Sequence, residues 1–477
     1  MMMFEPKRIH PVGMLLSFIK IIRSYIIPVI VFFFFGNNEG FNVYISIGGA
    51  CLFIIIIVTS ILDWWKFTYW LEDGELRIEH GIFIKKKRYI PIERIQSINI
   101  SAGIVQQLFR LVKVQIETAG SGLEAEAVLT AIKKHEADHI QQVISNYKQD
   151  GLKNVEVQDE DQSELPVFKM QSKDLFIAAS TSSGIGVIIS AIVAFVSQFE
   201  EFIPYEELID RFEFLTKASF AFYAGLVFIV LFIAWLLSII GVLLKYAYFT
   251  VLKADDDIKI SRGIFEKQQV SIPISRIQAI RIVQNPVRQL LGYATVYIES
   301  AGGNGVDEGA STMLFPVVPK KEVFPLLQQF VPSFEKSNHI HRLPKRSKKR
   351  YMIRKGIPAA IICIPLSYFL APWGIFSVIL IPLFIFWGYC AYKDAGWSLD
   401  GNQMQLSFRF ISKTTVLIKR NRLQSIKSKT SYFQKKQSLQ TFEASIKSGI
   451  IGKNFSIKDL EQSDVEKMVD WYSHSKK

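Results

Sequence analysis

Long apolar runs alternate with short stretches of strand-like periodicity. The apolar runs come in pairs. Met14 to Phe35 and Val43 to Leu62 are separated by GNNEGFN, and Leu175 to Val196 and Ala218 to Leu244 by the acidic loop QFEEFIPYEELIDRFEFLTK. Each approaches or exceeds the roughly 20 apolar residues that cross a ~30 Å hydrocarbon core, which predicts four transmembrane helices. A third pair, Gly356 to Leu370 and Gly374 to Tyr389, is shorter and carries Pro358, Pro365 and Pro382. With Trp373 near the turn and Arg354 and Lys355 able to snorkel, it would cross a thinned bilayer or form a re-entrant hairpin. The reading is therefore about six membrane segments. The first run is too long for a signal-peptide core and no small-residue cleavage site follows it, so it is read as retained.

The stretches between the pairs read as strands. LRIEHGIFIKKKRYIPI alternates in short bursts between the turn signals Asp73-Gly74 and His80-Gly81, and VKVQIETAG and TVYIESAGG alternate more clearly. A polar helix closes each unit, TAIKKHEADHIQQVISNYKQ in the first and VPKKEVFPLLQQFV in the second.

These units are copies. Ile90–Gly120 aligns with Ile272–Gly302 at an offset of 182 without a gap, and 16 of the 31 positions are identical. Gly81-Ile82-Phe83 matches Gly263-Ile264-Phe265, and Glu117-x-Ala-Gly matches Glu299-x-Ala-Gly. A decayed third copy at an offset of 328 keeps Ile418, Arg422, Gln424, Ser425, Ile426 and Leu439, but has Lys447-Ser448 for the Ala-Gly pair. Each copy follows an apolar pair, so the repeating unit is a hairpin plus a β-domain. The division is 1–62 for the N-terminal segment and first hairpin, 63–150 for the first β-domain, 151–174 for a linker and 175–244 for the second hairpin. It continues with 245–334 for the second β-domain, 335–352 for a basic linker, 353–391 for the third hairpin and 392–477 for a degenerate third β-domain.

Composition adds orientation. The 477 residues are 49% hydrophobic, yet carry a net charge of +13. Between Gln198 and Lys217 six acidic residues face two basic ones, while Lys7, Arg8, Lys20, Arg23 and the basic β-domains fall on the other side. The positive-inside rule then makes the chain a multi-pass plasma-membrane protein with cytosolic termini and domains. Cys51, Cys363 and Cys390 all lie in apolar runs, which argues against disulfides or a metal knuckle and for buried thiols.

The run from Trp70 to Phe83, WLEDGELRIEHGIF, followed by I-P-x-x-R-I-Q and the stretch Val114 to Gly120, resembles the bacterial pleckstrin-homology-like (PH-like) domain. Three such domains interleaved with hydrophobic hairpins resemble the YdbT-type membrane proteins, a family known by fold more than by activity. The resemblance covers nearly the whole chain. It implies two packed antiparallel sheets capped by a C-terminal helix in each domain, and a small companion membrane protein with one similar domain. Fold alone does not fix function.

Candidate chemistry is sparse. HEADH, His135 to His139, fits the HExxH zinc pattern, but it lies on a charged helix face without a third ligand and neither other copy has it. GGNGVDEG at 302–309 opens no helix at a GK[ST] and reads as a hairpin tip. No catalytic constellation, cofactor motif or metal set emerges, so a non-enzymatic protein is expected. Arg94, Arg276 and Arg422 occupy one position in every copy, three residues after Pro91 and Pro273 in the first two, with Gln96, Gln278 and Gln424 following. They either tie down turn groups or contact an anion or lipid headgroup, with Lys85, Lys86, Lys87 and Arg88 as neighbours in the first copy and Lys413, Lys419, Arg420, Lys427 and Lys429 in the third. From Lys336 to Lys355 nine basic residues occur without an acidic one, including Lys345, Arg346, Lys348, Lys349 and Arg350. Beside a membrane segment such a cluster enforces topology and attracts anionic lipid of the cytosolic leaflet, at about 1 kcal/mol per charge. Its juxtamembrane position argues against nucleic acid.

The favoured function is a scaffold whose cytosolic modules bind a partner protein or anionic lipid, with homo-oligomerisation open. Its location suggests envelope homeostasis or defence against membrane-active peptides. The alternative is a component of a transporter or exporter, disfavoured because the predicted spans hold almost no charge beyond Lys20 and Arg23.

Overall fold

The computed structural model describes residues 5–19, 42–82, 84–118, 126–150, 167–182, 190, 220–254, 257–301, 311–337, 339–369, 373–448 and 452–473. The GGNGVDEG stretch, most of the first apolar run and the acidic loop lie outside them.

Each copy builds two antiparallel sheets. In the first module β1 (Lys7–Arg8), β2 (Thr68–Glu72), β3 (Glu75–His80) and β4 (Lys86–Pro91) form one sheet, and β5 (Ile95–Ala102), β6 (Leu111–Thr118) and β7 (Ala127–Lys133) belong to the other. The second module repeats this with β8 (Val167–Lys169), β9 (Thr250–Ala254), β10 (Asp257–Arg262) and β11 (Lys267–Pro273), then β12 (Ile277–Gln284), β13 (Tyr293–Ser300) and β14 (Ser311–Pro319). The third has β15 (His341–Arg342), β16 (Gly396–Asp400), β17 (Gln403–Arg409) and β18 (Lys413–Lys419), then β19 (Leu423–Lys429), β20 (Leu439–Ile446) and β21 (Lys453–Glu461). The stretches read as an N-terminal segment and linkers thus each supply a short strand, placed before a hairpin and paired with the first strand after it. Closing helices Lys134–Asp150, Val323–Phe330 and Gln462–Ser473 follow.

The repeated phrase is the corner between the two sheets. Proline lacks an N–H, so the first-sheet strand ends at Pro91 or Pro273 and one 3-10 turn follows: Ile92–Arg94, Ile274–Arg276 or Arg420–Arg422. The next strand opens with a register shift in every copy, at Ile95/Ser97, Ile277/Ala279 and Leu423/Ser425, which turns it into the second sheet. Three cores result, centred on Leu76, Val114 and Leu129, on Val251, Val296 and Phe315, and on Met404, Phe442 and Leu460. The third module, the most divergent in sequence, is as complete as the others.

The sheets do not stop at module boundaries. Strand β11 pairs with β5 and β18 with β12, so the second sheet of one module continues into the first sheet of the next, giving two seven-stranded sheets. Lys267 faces Ala102 at the first seam, and Lys413 faces Gln284 at the second. These are equivalent positions under the 182 and 328 offsets, so both seams share one register.

Among the described residues three helices are long and apolar enough to cross a membrane: Gly225–Tyr246, Ser347–Phe369 and Gly374–Asp394. About six segments are thus not borne out among these residues, and no hairpin count follows. The third pair is longer than its apolar core suggested, because its first helix starts at Ser347 inside the basic segment. Its helices approach closely at Gly388, where a Cβ would lie 2.6 Å from the Tyr351 carbonyl oxygen. Small residues permit such packing. Cys363 is buried, but Cys51 faces outward on the helix Asn42–Lys66 beside exposed Phe53, Ile54 and Ile55, contrary to the expectation of a buried thiol.

Candidate membrane-surface site

Each seam is crossed by side chains. After β5 comes a short helix, Ile104–Leu108, whose Gln107 amide donates to the carbonyls of Ile264 and Phe265 at 3.0 and 2.8 Å. These carbonyls belong to the β10–β11 hairpin tip of the next module. At the second seam the equivalent Gln289 accepts from Arg409, which ends β17. Gly263 has φ +96°, and a Cβ there would lie 2.1 Å from the Glu266 carbonyl oxygen. That conformation requires glycine, which explains why Gly81 recurs as Gly263.

The tips sit at the ends of membrane helices. The Ile264 N–H donates to the Leu244 carbonyl and the Gly263 N–H to that of Ala247. In the third module Trp387 Nε1 donates to the Phe410 carbonyl at 2.9 Å, and Asp394 receives Arg409 and Lys413. The short helices and tips expose apolar side chains at this level. Leu108 is 78% exposed, Leu290 89% and Tyr432 80%, with Ile84, Phe265 and Phe410 also exposed on the tips. Apolar side chains are thus exposed at equivalent short helices and tips of successive modules.

Beside the first seam opens a cleft of about 1260 Å³, lined by Arg110, Lys133, Lys134, Arg262 and Lys267 together with Tyr248, and by no carboxylate among the described residues. Tyr248 lies two residues past the end of the helix Phe220–Tyr246. The second seam is instead closed by a charge cluster. Glu299, fully buried, receives Arg281 at 2.7 Å, Lys453 at 3.0 Å, and the hydroxyls of Ser311 and Ser448 at 2.8 and 3.2 Å. Burial works against its charge, but Arg281, Lys453 and Ser311 outweigh it and hold the carboxyl below its ordinary range. Burial pushes the Lys453 ammonium down, against the pull of Glu299. Two cations converge on one carboxylate, so the carboxylate is the group the cluster favours most.

The predicted site residues divide. Arg94, Arg276 and Arg422 end equivalent 3-10 turns. Arg422 donates to the Ser275 carbonyl of the neighbouring module at 2.6 Å, a tie between modules, while Arg94 is exposed and no described residue hydrogen-bonds its side chain. Lys85 and Lys87 hold Glu79, and Arg88 donates to the Glu126 carbonyl. Lys85, Lys86, Lys87 and Arg88 precede the end of β4 at Pro91 by roughly 10–20 Å of strand, so the structure does not gather them around Arg94.

The juxtamembrane cluster is partly spoken for. Arg350 and Arg354 bind the buried carboxylate of Asp459 at 3.0 and 2.6 Å, Ser347 Oγ donates to its carbonyl, and Arg346 pairs with Glu461. Lys348 lies over the Tyr389 ring. Lys345 and Lys349 remain exposed. In HEADH, Glu136 pairs with Lys7 and accepts from Tyr69, and no group of three metal-ligating side chains exists among the described residues. The Tyr69 hydroxyl is raised by burial and by Glu136. Sequence reasoning missed Glu299, Lys453, Asp459 and also Arg288, which reaches Thr181 Oγ1 and the Ala178 carbonyl at the start of the second hairpin.

The bacterial PH domain family matches residues 22–148, 191–330 and 356–476. Each match starts within a hydrophobic pair and ends in or next to a closing helix, which is the repeat deduced above. The chain belongs to the bacterial PH domain family. It is similar along its whole length to the UPF0699 transmembrane protein YdbT of Bacillus subtilis, with 44% identity over 490 residues covering 100% of this chain and 99% of that protein. No solved structure matches it. Three bacterial PH domains in one transmembrane chain therefore account for the threefold phrase.

Proposed function

We propose that this bacterial PH protein is a non-enzymatic scaffold of the plasma membrane. Its three modules form one rigid array on the cytosolic face, bound to anionic lipid and offering a platform for a partner protein. The exposed apolar side chains that recur on the short helices and tips near the helix ends carry this reading. Exposed apolar side chains at the level where membrane helices emerge, flanked by the basic cleft of Arg110, Lys133, Lys134 and Lys267, suit a surface pressed into an anionic interface. Cytosolic termini and modules are the orientation that the charge asymmetry supports.

Depth measurement tests it. With Cys51, Cys363 and Cys390 replaced by serine, a fluorophore at Leu290→Cys or Leu108→Cys is read in nanodiscs containing brominated lipid. Strong quenching that increases with anionic lipid supports the reading. Quenching no greater than at an exposed position far from the helix ends, such as Lys467→Cys, overturns it.

A further inference from the structure

Two edges of the kind that form the seams have no strand neighbour among the described residues. Strand β4 is the outer strand of the first sheet and β19 the outer strand of the last. These are the same edges that form the internal seams, since β4 corresponds to β11 and β18, and β19 to β5 and β12. The paired copies are largely covered, whereas Lys86, Lys87, Arg88 and Tyr89 and also Lys427, Ser428 and Lys429 are exposed. The accessory contacts are open as well. The Ile84 tip lacks the preceding short helix that the other tips meet, the helix Tyr432–Lys435 lacks a following tip, and Arg94 lacks the neighbouring carbonyl that Arg422 reaches.

The shared register shows what fits. If the β4 of one copy met the β19 of another as the internal seams do, Lys86 would face Lys429 and Arg88 would face Lys427. The internal seams place Gln268 against Ser101 and Val270 against Asn99, then Thr414 against Val283 and Val416 against Arg281, with no like-charged pair. Like charges directly opposite destabilise a strand pair, and lysines on an edge are a standard guard against self-pairing. The open edges thus reject a second copy and suit a strand of opposite sign.

We infer that β4 and β19 are docking edges for a partner protein that adds an antiparallel strand in the seam register, with acidic side chains opposite Lys86 and Arg88 or opposite Lys427 and Lys429. This deepens the scaffold reading by naming the partner's chemistry, and it is independent of lipid.

A charge-swapped copy is the acidic probe. The full-length protein is studied in neutral-lipid nanodiscs, so a failure of lipid binding leaves the result untouched. Wild type is expected to be monomeric by light scattering, and K86E/R88E to associate end to end, lowering the dissociation constant at least tenfold. The quadruple variant K86E/R88E/K427E/K429E, acidic on both edges, should return to monomer. With the native cysteines replaced, Tyr89→Cys on the K86E/R88E copy should form a disulfide with Ile426→Cys on a wild-type-charged copy. A K86E/R88E protein that keeps its wild-type melting temperature but stays monomeric overturns the inference. So does a wild-type protein that cross-links to itself at these positions, or association without the Tyr89–Ile426 bond.

Discussion

The two internal seams share one backbone register but differ in what fills them. At the second, Glu299, Arg281, Lys453 and Ser448 lock adjacent modules through buried charge. At the first, Gln107 makes the described side-chain bridge, and a basic cleft stands open. Main-chain pairing is therefore enough to build the array, and side chains decide whether a seam is closed or left available. The equivalent of Glu299 in the first module, Glu117, is also buried but is met by Ser97 and Asn99 of its own module.

The largest effect that would break this contrast is at Glu299. Glu299→Ala leaves two half-buried cations without their carboxylate and should destabilise by about 3–5 kcal/mol. Glu117→Ala, which removes the acceptor of Ser97 and Asn99, should lose about 1–3 kcal/mol. Thermal unfolding of both in one detergent checks the ordering. Acid should act in the same direction. Because the folded carboxyl of Glu299 lies below its ordinary value, its contribution is complete above that value and is lost as the pH falls through the ordinary range toward the folded one. Protection of the β12 and β18 amides, relative to their intrinsic exchange at the same pH, should therefore fall in mild acid, and Glu299→Gln should flatten that dependence.

Smaller effects belong to the open seam. Gln107→Ala should loosen the β10–β11 tip by about 1 kcal/mol, seen as faster exchange at Ile264 and Phe265 with the second seam unchanged. Replacing Lys133 and Lys134 by glutamine should weaken anionic-lipid association by about 1 kcal/mol per charge, measured as altered partition of nanodisc lipids, without a change in melting temperature. The matching change at Lys453 would lower the melting temperature instead.

The repeat, its strands, its corner and its closing helices were legible because they rest on periodicity and on residues that sterics demand, such as Pro91 and Gly263. The seams were not, since edge pairing is made by main-chain groups that every residue except proline supplies. Glu117 and Glu299 were visible as identities, yet the role of Glu299 depends on Lys453, which lies beyond the aligned block. Lys447-Ser448 read as decay, but Ser448 is a ligand of Glu299 and part of the lock. The basic segment before the third hairpin read as free charge because its acidic partners, Asp459 and Glu461, are more than 100 residues away in the chain.

The central claim is that three bacterial PH modules share continuous sheets, and cysteine pairs across the seams test it most directly. In native membranes, with the natural cysteines replaced, Ser101→Cys/Gln268→Cys and Val283→Cys/Thr414→Cys should each form a disulfide within one chain, while the off-register pair Ser101→Cys/Val270→Cys should not. No disulfide at either in-register pair, with both variants folded and labelled freely by a thiol reagent, would contradict the continuous array.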